Sequence, residues 1–105
     1  MHFDLIILYN KEINNKTLEN LNYKILSEDH YLIDDHNLNN NISFDYAIIY
    51  KKSALKNIDI LEDEGSVICN FFFQTNKDNI FFIGKENNSK KTINEQVNIV
   101  LEFLI

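Results

Sequence analysis

The chain has 105 residues, of which 45% are hydrophobic and 12% aromatic, so we expect one folded domain that is too short for two dinucleotide-binding units. Its formal net charge of −6 argues against a nucleic-acid-binding surface, because such surfaces neutralise phosphates. No apolar run approaches the roughly 20 residues that span a bilayer, and no positively charged signal segment precedes the first apolar run. We therefore expect a cytoplasmic protein that binds neither membrane nor nucleic acid.

Isoleucine, asparagine and lysine are abundant, whereas proline, tryptophan and arginine are absent. We interpret this bias as a consequence of an AT-rich genome, so a single asparagine or lysine carries little functional information. Without arginine, an anion would be bound by lysine, histidine, hydroxyl groups or backbone amides. The single cysteine, Cys69, fits a reducing compartment and excludes a disulfide within the chain.

Two continuous apolar runs, residues 3–9 (FDLIILY) and 44–50 (FDYAIIY), predict buried strands. Between them, residues 14–21 predict a short helix or turn. Residues 23–26 and 31–34 predict two short strands that form a hairpin around residues 27–30.

The stretch from residue 61 to residue 85, LEDEGSVICNFFFQTNKDNIFFIGK, follows a possible short helix near residues 53–58. It predicts a hairpin with an acidic turn before Gly65, then strands at residues 67–73 and 79–83. Neighbouring residues of a strand face opposite sides, so Phe71, Phe72 and Phe73 would place aromatic rings on both faces of a sheet.

A helix from about Thr92 to the C-terminus is predicted by the capping box that Thr92 and Glu95 form. Its apolar stripe comprises Ile93, Val97, Val100, Leu101 and Leu104. We therefore predict a single α/β domain over residues 1–105, with a mostly parallel or mixed sheet of about five to six strands, a hairpin and this helix.

The two apolar runs are similar to each other, and each is followed by a lysine-bearing segment and a hairpin-like pair. An internal duplication would explain this similarity, and so would the convergence of β-rich segments in a biased composition.

The second half of the chain contains, in order, strand 44–50, the hairpin at Gly65, the strand that ends at Gly84 and the final helix. This order resembles the C-terminal segment of thioredoxin reductase-like (pyridine nucleotide-disulfide oxidoreductase) flavoproteins. The resemblance covers a little over half of the chain, in truncated and degenerate form. It implies an FAD/NAD(P)-binding-like fold in which the helix faces a flavin.

The chain departs from this family at the residues that make its members enzymes. Lys85 stands where the family has a flavin-contacting aspartate. Gly65 and Gly84 are the only glycines, so there is no G-x-G-x-x-G, and a single cysteine excludes C-x-x-C. We therefore expect no autonomous reductase activity and no tightly bound FAD or NAD(P). Retention of FAD is the alternative.

The entrance of the final helix is the candidate binding site, because free amides at a helix N-terminus favour anions. Its residues are Gly84, Lys85, Ser89, Lys90, Lys91 and Thr92. The alternative is a solvated surface loop.

Three other groups of residues have side chains that could bind a metal or take part in a reaction. His30, Asp34 and His36 share one face of an extended segment and could approach a metal, or they could be the polar side of a hairpin. Cys69 sits in an apolar run and predicts a buried, inert thiol. The acids at residues 62–64 predict a solvated turn rather than an acid–base pair.

These features favour a non-catalytic protein that acts through protein–protein association, as a homodimer or as a subunit of a larger assembly. Exposed aromatic surface would drive that association. The alternatives are a small redox protein that retains FAD or a nucleotide, and an acidic, inhibitor-like binding protein.

Overall fold

The structure is a computed structural model that describes residues 1–9, 13, 15–27, 33–39 and 41–104. Its main sheet has five strands, a second sheet has two, and one α-helix ends the described chain, which confirms the α/β class. The elements are β1 (His2–Leu8), β2 (Tyr23–Leu26), β3 (Asn37–Leu38), β4 (Ile42–Ile49), β5 (Glu62–Asp63), β6 (Ser66–Val67), β7 (Ile80–Phe82) and α1 (Ile93–Leu104). Short 3-10 helices span Lys16–Asn20, Lys52–Leu55 and Lys85–Asn87.

Four strands of the main sheet are parallel and lie in the order β2-β1-β4-β7. The short strand β3 runs antiparallel and pairs with the first residues of β4, on the same side of β4 as β7. The chain leaves β1 toward β2 and then returns across β1 to β4. The direction of winding therefore reverses between the carboxyl ends of β1 and β4, where open α/β sheets commonly bind ligands.

The two similar sequence segments are neighbouring strands. Phe3 pairs with Phe44 and Leu8 with Ile49, so the paired residues of β1 and β4 stand at the same positions of the two apolar runs. The residues after these strands, Tyr9 and Tyr50, also meet, with ring centroids 4.8 Å apart at an interplanar angle of 60°. The two similar segments therefore occupy equivalent positions in neighbouring strands of the sheet.

Helix α1 covers one face of the sheet, as predicted. Val97, Val100 and Leu101 are buried in a layer with strand residues, while Ile93 and Leu104 pack at its margin. The predicted capping box is confirmed: the Glu95 amide donates to Thr92 Oγ1, and the Thr92 amide donates to Glu95 Oε1, both at 3.2 Å. These hydrogen bonds lower the pKa of the Glu95 carboxyl below its ordinary value.

The opposite face of the sheet is covered by connecting segments. Its strand residues include Leu8, Ile49 and Phe82, which are fully buried. The residues of other segments that pack over them include Ile33, Ala54, Leu55 and Val67. Both faces of the sheet are thus buried within one copy of the chain.

The predicted strand at residues 67–73 is wrong beyond Val67, because β6 spans only Ser66–Val67. The hairpin itself is confirmed, with β5 antiparallel to β6 around Glu64 and Gly65. Phe71 and Phe72 form a turn outside both sheets, so these phenylalanines do not alternate across a sheet. Phe81 and Phe82 do alternate, since each is buried in a different layer.

The predicted hairpin after β1 lies partly outside the described residues, which omit residues 28–32. Strand β2 is confirmed, and it pairs in parallel with β1. Ile33 makes an isolated antiparallel bridge to Leu38, and Asp34 lies in a turn where its Oδ1 accepts the amides of His36 and Asn37.

Candidate functional site

A doubly wound sheet would bind a cofactor at the carboxyl ends of β1 and β4, where the direction of winding reverses. In the described residues, the rings of Tyr9 and Tyr50 meet at this point. Gly84, which follows β7, has φ +106° and ψ −167°, and a Cβ atom added there would lie 3.0 Å from two ring carbons of Tyr50. Protein side chains therefore pack tightly at this end of the sheet.

Gln96 connects the start of α1 to the end of β7. Its side chain is only 1% exposed. Its Oε1 accepts the Gly84 amide and Asn87 Nδ2, both at 2.9 Å, and its Nε2 donates to the Lys91 carbonyl at 2.9 Å. The Gly84 amide, a candidate anion donor, is thereby occupied by a protein acceptor.

The other residues of the predicted anion site lie along the same loop. Ser89 Oγ accepts the Lys91 amide at 3.1 Å, and Thr92 Oγ1 accepts the Glu95 amide. The Glu95 carboxylate lies at the helix N-terminus, where it accepts the Thr92 amide in the manner that a bound anion would. Lys85 and Lys90 are exposed, and neither forms an ion pair within the described residues. The anion site stays a prediction, and the hydroxyls of Ser89 and Thr92 already bond to protein atoms.

The metal-site hypothesis has no support among the residues that the structure describes. No group of three or more His, Cys, Asp or Glu side chains within them could hold a metal ion. His30 lies outside the described residues.

A serine, a histidine and an aspartate meet at the start of the sheet, a contact that the sequence did not predict. His2 Nδ1 lies 2.6 Å from Ser43 Oγ, and His2 Nε2 lies 3.1 Å from Asp45 Oδ1. His2 and Asp45 are exposed and Ser43 is half-buried, and the Ser43 amide donates to the Met1 carbonyl at 2.9 Å. The Ser43 amide, which in a hydrolase could donate to an oxyanion, is therefore occupied by a protein acceptor.

The turn at residues 70–74 presents the most exposed large apolar side chain of the described chain, Phe71, which is 94% exposed. Asn70 holds this turn: its Oδ1 accepts the Phe72 amide at 2.9 Å and the Gln74 amide at 3.0 Å. The Asn70 carbonyl accepts the Phe73 amide at 3.1 Å, and the Asn70 amide donates to the Gln74 carbonyl at 3.0 Å. Phe71 thus stands on a turn that is fixed by hydrogen bonds.

Phe73 holds the turn against the sheet in an unusual conformation. Its φ of +64° lies in the left-handed region, which a bulky residue seldom adopts. Its ring is buried against the helix side of the sheet, and its carbonyl accepts the Phe82 amide at 2.9 Å. The surrounding contacts therefore support a strained backbone that turns Phe71 outward.

A chain of aromatic rings ties the turn to the core. The rings of Phe72 and Phe103 meet edge to face with centroids 4.6 Å apart, and Phe103 lies 5.8 Å from the buried Phe81. Tyr46 lies 6.2 Å from Phe81 on the same layer. We call Phe71, Phe72 and Phe103 the aromatic ridge.

Two grooves adjoin the turn at residues 70–74, and Gln74 lines both. The first, which we call the acidic groove, has a volume of about 570 Å³ and lies where the edge of β4 is uncovered between β3 and β7. It is lined by His36, Asp45, Tyr46, Gln74, Asp78 and Phe103, together with Asn79. The second groove, of about 340 Å³, includes the exposed Leu61 and Ile68.

The aromatic ridge was only partly predicted. The apolar pattern of residues 67–73 predicts a strand, which places Phe71 and Phe72 on opposite faces of a sheet. The signal for the turn is Asn70, because asparagine favours turns by bonding nearby amides. Phe103 lies outside the apolar stripe of the helix, and Asp45 and Asp78 are distant in sequence, so no local pattern could bring them together.

Cys69 provides a separate prediction about reactivity. Burial raises the pKa of its thiol to about 11, and its Sγ lies 3.8 Å from the Phe82 carbonyl. Since the thiolate is the reactive form, we expect iodoacetamide to alkylate native Cys69 about 100-fold more slowly at pH 8 than the same thiol in urea. Equal rates in the native and unfolded protein would contradict the predicted inert thiol.

Comparison of the chain with protein-family models, with curated proteins and with solved structures finds no match. Within the described residues, no helix has the length and apolar character needed to cross a membrane.

Proposed function

We propose that this protein acts without catalysis, by binding another protein through the aromatic ridge. The observation that carries the proposal is the almost complete exposure of Phe71 on a turn that Asn70 fixes by hydrogen bonds. A large aromatic side chain held in water gains apolar contact only when a second surface covers it.

The fixed backbone of the turn supports the same proposal. A flexible loop would lose conformational freedom when a partner bound it, and this loss weakens binding. The hydrogen bonds of Asn70 and the left-handed Phe73 have already restricted this turn in the free protein. Strained backbone that the fold maintains is often associated with binding sites.

We propose a partner other than a second copy of the chain. A twofold dimer through the ridge would bring the Asp45 and Asp78 carboxylates of both copies into one interface. Like charges oppose such pairing. The homodimer predicted from the sequence is tested by light scattering at tens of micromolar, where we now expect the mass of a monomer.

We also propose that the chain is a degenerate relative of the C-terminal segment of the thioredoxin reductase-like flavoproteins that no longer holds a cofactor. The parallel sheet, the glycine after its last strand and the helix beyond it agree with this ancestry. Loss of the cofactor agrees with the packing of Gly84 against Tyr50 and with the bonding of its amide to Gln96. A single, half-buried thiol fits a cytoplasmic location.

Replacing Phe71 with serine should strongly weaken partner binding and leave the domain folded. Because the side chain is almost fully exposed, the free energy of unfolding should change by less than about 0.5 kcal/mol. Loss of a central aromatic anchor should weaken binding at least about tenfold. To measure this, peptides are first selected on the wild type from a displayed random library. Each selected peptide is then titrated against the wild type and against Phe71→Ser.

Tyr23→Ser is the matched control, because Tyr23 is an exposed aromatic on β2, at the opposite edge of the sheet from β7. We expect the selected peptides to bind this control as they bind the wild type. Peptides that bind Phe71→Ser with full affinity, or a library that yields no binder on the wild type, would refute the proposed function.

A further inference from the structure

We infer that the acidic groove receives a lysine or arginine side chain of the partner, so that the partner presents a basic segment to this protein. The inference rests on the proposed function, since the groove adjoins the aromatic ridge and shares Phe103 with it.

The groove combines two kinds of group that stabilise a cation. Tyr46 and Phe103, which are 40% and 39% exposed, supply aromatic rings beside the space that a long side chain would enter. Asp45 and Asp78 supply carboxylates to the same space. A guanidinium or ammonium group would bond to a carboxylate while its aliphatic stem packed on the rings.

The charges around the groove are not balanced within the described residues. Asp78 has no ion-pair partner there, and the partner of Asp45 is the exposed His2. The nearby Lys77 lies 3.9 Å from Asp35, another carboxylate. Of the groove's lining residues, only His36 could carry a positive charge, and its Nδ1 lies 3.3 Å from the Phe44 carbonyl. An incoming cation would therefore meet the unpaired Asp78 carboxylate and an Asp45 carboxylate whose one ion-pair partner in the described residues is the exposed His2.

The formal net charge of −6 also attracts positively charged partners, over longer distances than the groove itself. It would speed the encounter with a basic partner and oppose an acidic one, including a second copy of this chain. The aromatic ridge would then supply the apolar contact, and the acidic groove would select among partners by charge.

The test uses the full chain and one random peptide library, selected separately on three proteins. These are the wild type, the groove variant Asp45→Asn/Asp78→Asn, and the control Glu19→Gln/Asp63→Asn, which loses the same charge from exposed positions outside both grooves. Thermal melts establish that all three are folded. We expect enrichment of lysine and arginine on the wild type and the control, and loss of that enrichment on the groove variant.

A selected basic peptide should bind the groove variant about 3- to 10-fold more weakly than the wild type, and this difference should shrink at high salt. Peptides that depend on Phe71 but show no enrichment of basic residues, or that bind the groove variant equally well, would overturn the inference and leave the proposed function standing. Binding that depends on the aspartates but not on Phe71 would instead refute the proposed function.

Discussion

Truncation after Lys91 should unfold the protein, because it removes the helix that closes one face of the sheet. Val97, Val100 and Leu101 are fully buried, and burial of each such side chain contributes about 1.5–3 kcal/mol. Their sum is comparable to the roughly 5–15 kcal/mol by which a typical domain is stable. The truncation also removes Gln96, which leaves the Gly84 amide without its acceptor.

Thermal melting followed by circular dichroism measures this effect. Two full-length variants separate loss of packing from loss of chain length: Val100→Asp places a charge in the buried layer, whereas Asn94→Asp places it on the exposed side of the same helix. We expect Val100→Asp to behave like the truncation and Asn94→Asp like the wild type. A truncated chain that melts cooperatively near the wild-type temperature would show that the helix contributes little to the stability of the domain.

Gly84→Ala should destabilise the protein strongly for two independent reasons. The backbone at φ +106° and ψ −167° is in a region that residues with a Cβ atom rarely adopt. The new methyl group would also lie 3.0 Å from two carbons of the Tyr50 ring, which itself contacts Tyr9. Backbone strain and overpacking each cost about 1–3 kcal/mol, so we expect a loss of about 3 kcal/mol or more.

Gly65→Ala is the matched control, because Gly65 also has a positive φ, of +86°, but no atom lies within 4 Å of an added Cβ. An alanine at residue 65 would therefore strain the backbone but would not contact an aromatic ring. Urea unfolding should therefore give a smaller loss for Gly65→Ala, about 1 kcal/mol. Equal losses for the two variants would show that the close packing of Gly84 against Tyr50 contributes nothing.

The elements predicted most accurately are those specified by local sequence. Strands β1 and β4 follow from continuous apolar runs, and α1 follows from the pairing of Thr92 with Glu95 and from the stripe at helical spacing. In these segments, local preference and tertiary packing favour the same structure.

The prediction was wrong where a side chain competes with the strand for backbone amides. Residues 68–73 have an apolar pattern that favours a strand, but Asn70 accepts the amides of Phe72 and Gln74 and forms a turn instead. The acidic groove could not be predicted at all, because it assembles Asp45 from β4, Asp78 from a loop and Phe103 from the last helix.

Gly84 has two separate interpretations. In the resembled family, a glycine at the end of this strand precedes a residue that contacts the flavin. In this structure, the close approach of the Tyr50 ring and the left-handed backbone are sufficient to require glycine. The presence of Gly84 is therefore compatible with common ancestry and does not require a cofactor.

The most direct test of the proposed function is chemical-shift mapping on isotopically labelled protein, with a library-selected peptide and with FAD in separate titrations. We predict that the peptide shifts the amide signals of residues 70–74, of Phe103 and of the groove residues Asp45, Tyr46 and Asp78, and that FAD produces no saturable change. A peptide that leaves these signals unchanged, or saturable FAD-induced shifts at Tyr9, Tyr50 and Gly84, would contradict a role based on association through the aromatic ridge.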